Sequence, residues 1–150
     1  MSVFISLQPI DIEQLGLWGN MRRAIYPTLN ESYNQVEMAE IIKRPDWFCY
    51  FITLDEDQHV GLVELSSRNI VDSCISSPVA YLEGLYLQPN YRNQGIGKRV
   101  MQLITKWCAD EGFKELATDA ELDNVRAQRF YTQLGFEETD RVVAFRFEIK

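Results

Sequence analysis

The chain has 150 residues, of which 46% are hydrophobic and 25% charged, with a formal net charge of −7. This is the profile of one globular domain with one core over residues 1–150. The acidic balance argues against a general nucleic-acid-binding surface and favours a cationic small-molecule partner. Apolar runs are short and interrupted by charge, so no segment is expected to span a membrane. The opening Met1-Ser2-Val3-Phe4 lacks the basic region and cleavage site of a secretory leader, which makes the cytoplasm the expected location. Cys49, Cys74 and Cys108 are widely spaced, and His59 is the single histidine, so neither a metal site nor a Ser-His-Asp arrangement is expected.

In chain order, Val3–Leu7 reads as a first strand and Asp11–Ile25 as a helix with Leu17 or Trp18, Met21 and Ile25 on one stripe. Asn34–Lys43 reads as a short second helix that stops before Pro45. Trp47–Leu54 and His59–Ser67 flank the turn Asp55-Glu56-Asp57-Gln58 as a hairpin. Val79–Leu87 is a buried-looking strand whose Gly84 suggests a bulge or the close approach of a ligand. Val100, Leu103, Ile104, Trp107 and Glu111 follow helical spacing up to Gly112. Leu116–Thr118 is a brief strand, and Ala127, Phe130, Tyr131 and Leu134 lie on a last helix closed by Gly135. Arg141–Ile149 alternates imperfectly and is expected to close the sheet as a long strand. The order β-α-α-β-β-β-α-β-α-β describes a mixed α/β domain.

The most informative segment runs from Leu85 to Lys98. Here a strand enters a glycine-bearing turn, Arg92-Asn93-Gln94-Gly95-Ile96-Gly97-Lys98, and a helix begins at once. Free N–H groups at such a helix start favour an anion, and glycine lets the backbone approach phosphate oxygens. A Walker loop would need glycine at Arg92 and Ser or Thr at Arg99, and the dinucleotide fingerprint would need glycine at Val100. An ordinary strand-to-helix turn accounts for the glycine pair equally well. Further along, residues 110–123 hold six acids against Lys114, which suits a cation or simply a solvated face.

Arg92-x-x-Gly95-x-Gly97 resembles the Arg/Gln-x-x-Gly-x-Gly/Ala element of the GNAT acetyltransferases. Asn124 followed by Phe130-Tyr131-Thr132-Gln133-Leu134-Gly135-Phe136 is similar to the second element of that family. Within it, Ser76-Ser77-Pro78-Val79, Leu82-Glu83-Gly84, Leu116-Ala117-Thr118-Asp119, Leu122-Asp123-Asn124, Leu134-Gly135-Phe136-Glu137-Glu138-Thr139 and Arg141-Val142-Val143 resemble the bacterial aminoglycoside 6′-N-acetyltransferases. The resemblance covers most of residues 60–147 and is looser before them. It implies a central, mostly antiparallel sheet flanked by helices, acetyl-coenzyme A as co-substrate, and a homodimer. It also implies that the backbone of Leu85, Tyr86 and Leu87 meets the pantetheine arm. Arg92, Asn93, Gln94, Gly95, Ile96, Gly97 and Lys98 then cradle the pyrophosphate, and Asn124 contacts the cofactor.

On the substrate side, Glu83 and Asp119 match acids that meet the amino-sugar, and Asp140 stands where glutamate is usual. Tyr26 replaces a tryptophan and Ile70 a tyrosine. Glu83 is the first candidate for the base, Asp119 the second, and Tyr131 the general acid for the departing thiolate. An exposed glutamate titrates near about 4.3 and is a weak base, so that role requires burial. Against these functional readings, Glu83 could be a salt-bridged strand residue, Asp119 and Asp123 helix-capping acids, and Tyr131 a core aromatic. Other amines, such as a polyamine or a peptide N-terminus, suit the same reaction. A non-catalytic coenzyme A sensor would use the same fold.

Overall fold

The computed structural model describes residues 3–150. The chain falls into two compact units, one ending at Thr118 and one running from Asp119 to Lys150. In the first, β1 (Ile5–Pro9) leads through a short 3-10 turn into α1 (Leu15–Ile25) and α2 (Glu31–Lys43). Strands β2 (Trp47–Leu54), β3 (Gln58–Arg68) and β4 (Val79–Leu87) follow. Helix α3 (Ile96–Asp110) and β5 (Leu116–Thr118) complete the unit.

Local chemistry sets these boundaries. Asp11 and Gln14 form a reciprocal capping box, which winds residues 12–14 as a 3-10 turn, so the expected Asp11–Ile25 helix becomes α-helical only from Leu15. Asn30 caps α2 by accepting from the Tyr33 N–H, which starts that helix earlier than its apolar spacing suggested. The β2–β3 turn places Asp55 and Glu56 at positive φ, where short polar side chains are tolerated better than bulky ones.

The sheet order is β1-β2-β3-β4-β5, with the first four strands antiparallel and β5 parallel to β4. Successive residues of β2 serve opposite faces. Phe51 joins Trp18, Met21, Met38, Ile41 and Leu62 in one buried cluster beneath α1 and α2, with Trp47 and Cys49 at its margin. Phe48 and Tyr50 meet Trp107 of α3 at ring-centroid distances of 5.1 and 6.4 Å. The result is helices on both faces of a twisted sheet.

Within the first face lies a buried charge. Glu64 of β3 is fully buried, and burial pushes its carboxyl upward while Arg22 and Trp18 favour the ionised form. Arg22 Nη1 donates to both carboxylate oxygens at 2.7 and 2.9 Å, and Trp18 Nε1 donates at 2.7 Å. The remaining Arg22 donors reach α2, with Nε on Asn34 Oδ1 at 2.9 Å and Nη2 on Glu37.

The second unit contains α4 (Val125–Gln133), whose N-cap is Asn124, accepting from the Ala127 N–H. Asp123, expected as a capping acid, lies one residue too early. The expected closing strand over Arg141–Ile149 is not formed, since no regular element follows α4. Val143, Phe145, Phe147 and Ile149 are 71–92% exposed, so the alternation that predicted a strand does not bury a face.

Breaking a buried ion pair from one side leaves the other charge without compensation. Arg22→Ala is expected to cost about 3–5 kcal/mol, read as a lower urea midpoint with unchanged slope.

Candidate active site

The site is organised by an irregularity in β4. In the β3–β4 ladder Glu64 faces Gly84 and Leu65 faces Leu82, so Glu83 is an extra residue with no partner on β3. A side chain at Gly84 would begin 3.2 Å from the Tyr26 hydroxyl and 3.5 Å from Glu64 Oε1. The close approach anticipated at this glycine is therefore made by the protein itself. The Tyr26 hydroxyl donates to the Glu83 carbonyl at 2.9 Å.

The Glu83 side chain is only 14% exposed, and Arg68 holds it as a bidentate pair. Arg68 Nε and Nη2 donate at 3.0 and 2.8 Å, and the Ser66 hydroxyl donates to Oε2 at 2.5 Å. Ser66 and Arg68 share one face of β3 two residues apart, which brings both donors to the same carboxylate. Glu83 is thus both largely buried and salt-bridged, the second being the structural alternative open for it from the sequence.

Glu83 and Tyr26 line an open cavity of about 660 Å³ between α1, α2, β3 and β4. Its charged lining comprises Glu37, Glu40, Glu64 and Glu83 against Arg22 and Arg44. Even with Glu64 compensated by Arg22, the wall keeps an acidic excess suited to a cation. Ile70, in the segment after β3, is 85% exposed.

Beyond the bulge, β4 has a free side. β5 pairs only with Ala80, Tyr81 and Leu82, and among the described residues no strand continues that pairing along Leu85, Tyr86 and Leu87. An unpaired strand edge presents backbone N–H and C=O groups to an extended amide-bearing ligand. The strand then runs into Pro89–Tyr91 and the glycine turn. Arg92 is turned inward, its Nε donating to the Leu87 carbonyl at 2.7 Å, so it braces the turn. Asn93 and Gly95 have φ of 61° and 80°. Gly95 is the N-cap of α3 and offers no side-chain cap, so the first-turn N–H groups of Ile96, Gly97 and Lys98 have no partner of that kind. A Cβ at Gly95 would meet nothing within 4 Å, and Asn93, Gln94 and Lys98 are exposed. The turn thus has the open, donor-rich form that a pyrophosphate group requires.

The other expected residues belong to the second unit. Asp119 and Asp140 are exposed there. Asn124 spends its side-chain oxygen on the α4 cap, 3.1 Å from the Ala127 N–H. Tyr131 is half-buried, with its ring centroid 5.5 Å from Phe130 and 5.3 Å from Phe136. The Phe136 N–H returns to the Tyr131 carbonyl at 3.0 Å, with Gly135 at φ 100°.

Sequence reasoning missed Arg68, Ser66 and the Arg22–Glu64 pair. One signal was available for the last: Glu64 is a lone acid inside the apolar run Val60-Gly61-Leu62-Val63-Glu64-Leu65, where a carboxylate must find donors. Nothing within a few residues of Glu83 pointed to Arg68.

Comparison with known proteins agrees with this geometry. Residues 18–136 match the Acetyltransferase (GNAT) family model. An aminoglycoside N(6′)-acetyltransferase type 1 from Serratia marcescens is 34% identical over 137 residues, covering 91% of this chain and 94% of the relative. The solved structure of the aminoglycoside 6′-N-acetyltransferase AAC(6′)-Ih from Acinetobacter baumannii superposes with a TM-score of 0.82 at 32% identity, covering 98% of this chain and all of the other. AAC(6′)-Iy in complex with a bisubstrate analogue, CoA-S-monomethyl-acetylneamine, superposes with a TM-score of 0.84 at 26% identity, covering 97% of this chain and 99% of the other. With the bulged acid, the open strand edge and the uncapped glycine turn on one strand–turn–helix unit, the chain belongs to the GNAT acetyltransferase family, among the aminoglycoside 6′-N-acetyltransferases.

Proposed function

We propose that this enzyme transfers the acetyl group of acetyl-coenzyme A to the 6′-amine of an aminoglycoside, by direct attack within a ternary complex. The observation that carries this reading is the β4 bulge. It sets the Glu83 carboxylate in an acidic cavity, on the same strand whose open edge leads to the glycine turn. The free side of Leu85, Tyr86 and Leu87 receives the pantetheine amides, and the turn from Arg92 to Lys98 receives the pyrophosphate. Asn124 contacts the cofactor from α4.

The amine arrives as an ammonium and loses a proton before it attacks. Glu83 takes that proton, directly or through water. Its Oε1 accepts a single donor from Arg68, which leaves a lone pair for the amine. The nitrogen then bonds to the thioester carbon, and a backbone N–H near Leu87 holds the carbonyl oxygen as charge develops. The carbon–sulfur bond breaks as Tyr131 gives its proton to the thiolate. The second proton of the attacking nitrogen leaves through water to restore the tyrosine, giving the amide and free coenzyme A thiol. Asp119 and Asp140 are the acids proposed to meet the cationic sugar rings, and Tyr26 and Ile70 are proposed substrate contacts, Tyr26 in the wall of the cavity.

We further infer a homodimer, supported by the exposed apolar series Val143, Phe145, Phe147 and Ile149. A single-chain mass by light scattering at micromolar concentration would rule it out. No helix among the described residues is long and apolar enough to cross a membrane, and the cytoplasm, which supplies acetyl-coenzyme A, is the proposed location.

A free-thiol release assay with acetyl-coenzyme A and a panel of kanamycin, tobramycin, spermidine and short peptides tests the substrate. Turnover is expected with aminoglycosides bearing a 6′-amine and not with those bearing a 6′-hydroxyl. Turnover confined to spermidine or peptide would discard the antibiotic while keeping the reaction. Glu83→Ala is expected to lower kcat at neutral pH by at least ~10²-fold. Near-normal turnover at saturating substrate would move the base to Asp119.

A further inference from the structure

Tyr26, expected from the family resemblance to line the substrate site, points its hydroxyl at the protein's own backbone. It donates to the carbonyl of Glu83, the extra residue of the β4 bulge. No other hydrogen-bonding side chain comes as near to the space left by Gly84 except Glu64, whose Oε1 is 3.5 Å from it. Tyr26 is also the C-cap residue of α1, with its N–H bonded to the Arg22 carbonyl at 2.9 Å. One turn earlier on that helix, the Arg22 guanidinium lies 5.6 Å from the Tyr26 ring centroid. The same guanidinium is fastened to Glu64, directly across the ladder from Gly84. A closed circuit results: Glu64 fixes Arg22, Arg22 and the helix backbone fix Tyr26, and Tyr26 fixes the bulge beside Glu64.

We propose that Tyr26 is a positioning residue, which, with the buried Arg22–Glu64 pair, sets the bulge and thereby the aim of the Glu83 carboxylate and of the β4 edge beyond it. A bulge residue lacks ladder hydrogen bonds of its own, so its carbonyl direction depends on an outside donor. In this chain that donor is the Tyr26 hydroxyl. The catalytic consequence rests on the acetyl-transfer reading, whereas the structural one does not.

Tyr26→Phe removes a single oxygen and keeps the ring against Arg22. Amide hydrogen exchange of the unliganded variant is expected to accelerate about tenfold at residues 84–87, with the β1–β2 ladder unchanged. Steady-state assays are expected to show kcat lowered about tenfold, with less than a twofold change in KM for the amine. A raised KM at unchanged kcat would make Tyr26 a substrate contact and overturn the proposal, as would unchanged exchange at residues 84–87. Glu64→Gln keeps the shape of the buried side chain and is expected to accelerate the same amides. The double variant is expected to show no more exchange than the faster single one, because the residues act in one circuit. Fully additive effects would overturn the circuit. If the wild-type enzyme acetylated no amine, the acetyl-transfer reading would fall while the exchange measurement still decided the role of Tyr26.

Discussion

A carboxylate sealed inside an apolar face dictates much of this structure. Glu64 has no solvent contact, so its charge is tolerable only with donors at close range and in good geometry. Arg22 and Trp18 supply them, and both lie on α1, four residues apart on one helical face. Satisfying Glu64 therefore fixes the rotation of α1 on the sheet. The donors that Arg22 has left are taken by Asn34 and Glu37, which fixes α2 in turn. Two helices that share a modest apolar cluster thus acquire one orientation, and the space they leave above β3 and β4 is the cavity.

The second organising feature follows from the first. β3 presents Glu64 and, farther along, Ser66 and Arg68, while β4 carries one more residue than β3 can pair. The extra residue is Glu83, and its carboxylate finds Arg68 and Ser66 while its carbonyl finds Tyr26. The guanidinium fixes the direction of the carboxylate, and Oε1 keeps a lone pair beyond its single Arg68 donor. Past the bulge, β5 has already ended, so the strand edge that would otherwise be paired is open at Leu85, Tyr86 and Leu87. A single short stretch of chain therefore carries the acid, the open edge and, after Pro89–Tyr91, the glycine turn without a side-chain cap. This contiguity suits a reaction whose two substrates must meet end to end.

The contacts also revise the meaning of one family position. The family resemblance implied a wall for the sugar at position 26. In this chain the Tyr26 hydroxyl is bonded to the Glu83 carbonyl, and its ring lies near the guanidinium that neutralises Glu64. A tyrosine at this position supplies a phenolic donor at the end of its ring, and that donor is used on the backbone of the bulge.

What the sequence determined by itself was local. The spacing of Val100, Ile104 and Trp107 set α3, and the hairpin followed from the polar turn at Asp55–Gln58. Gly84 flagged the bulge, and Gly95 with Gly97 marked the turn into α3. Each of these rests on interactions within a few residues, which periodicity and turn chemistry register directly. Only the tertiary structure decided that Arg68 answers Glu83 and that Arg22 answers Glu64. Such choices are made between segments 15 and 42 residues apart, among several charges of equivalent chemistry. The expected strand at Arg141–Ile149 failed for the same reason. Alternating apolar residues mark a segment that fits a sheet, but a strand exists only where another strand presents its edge, and the sequence of one segment does not contain its partner.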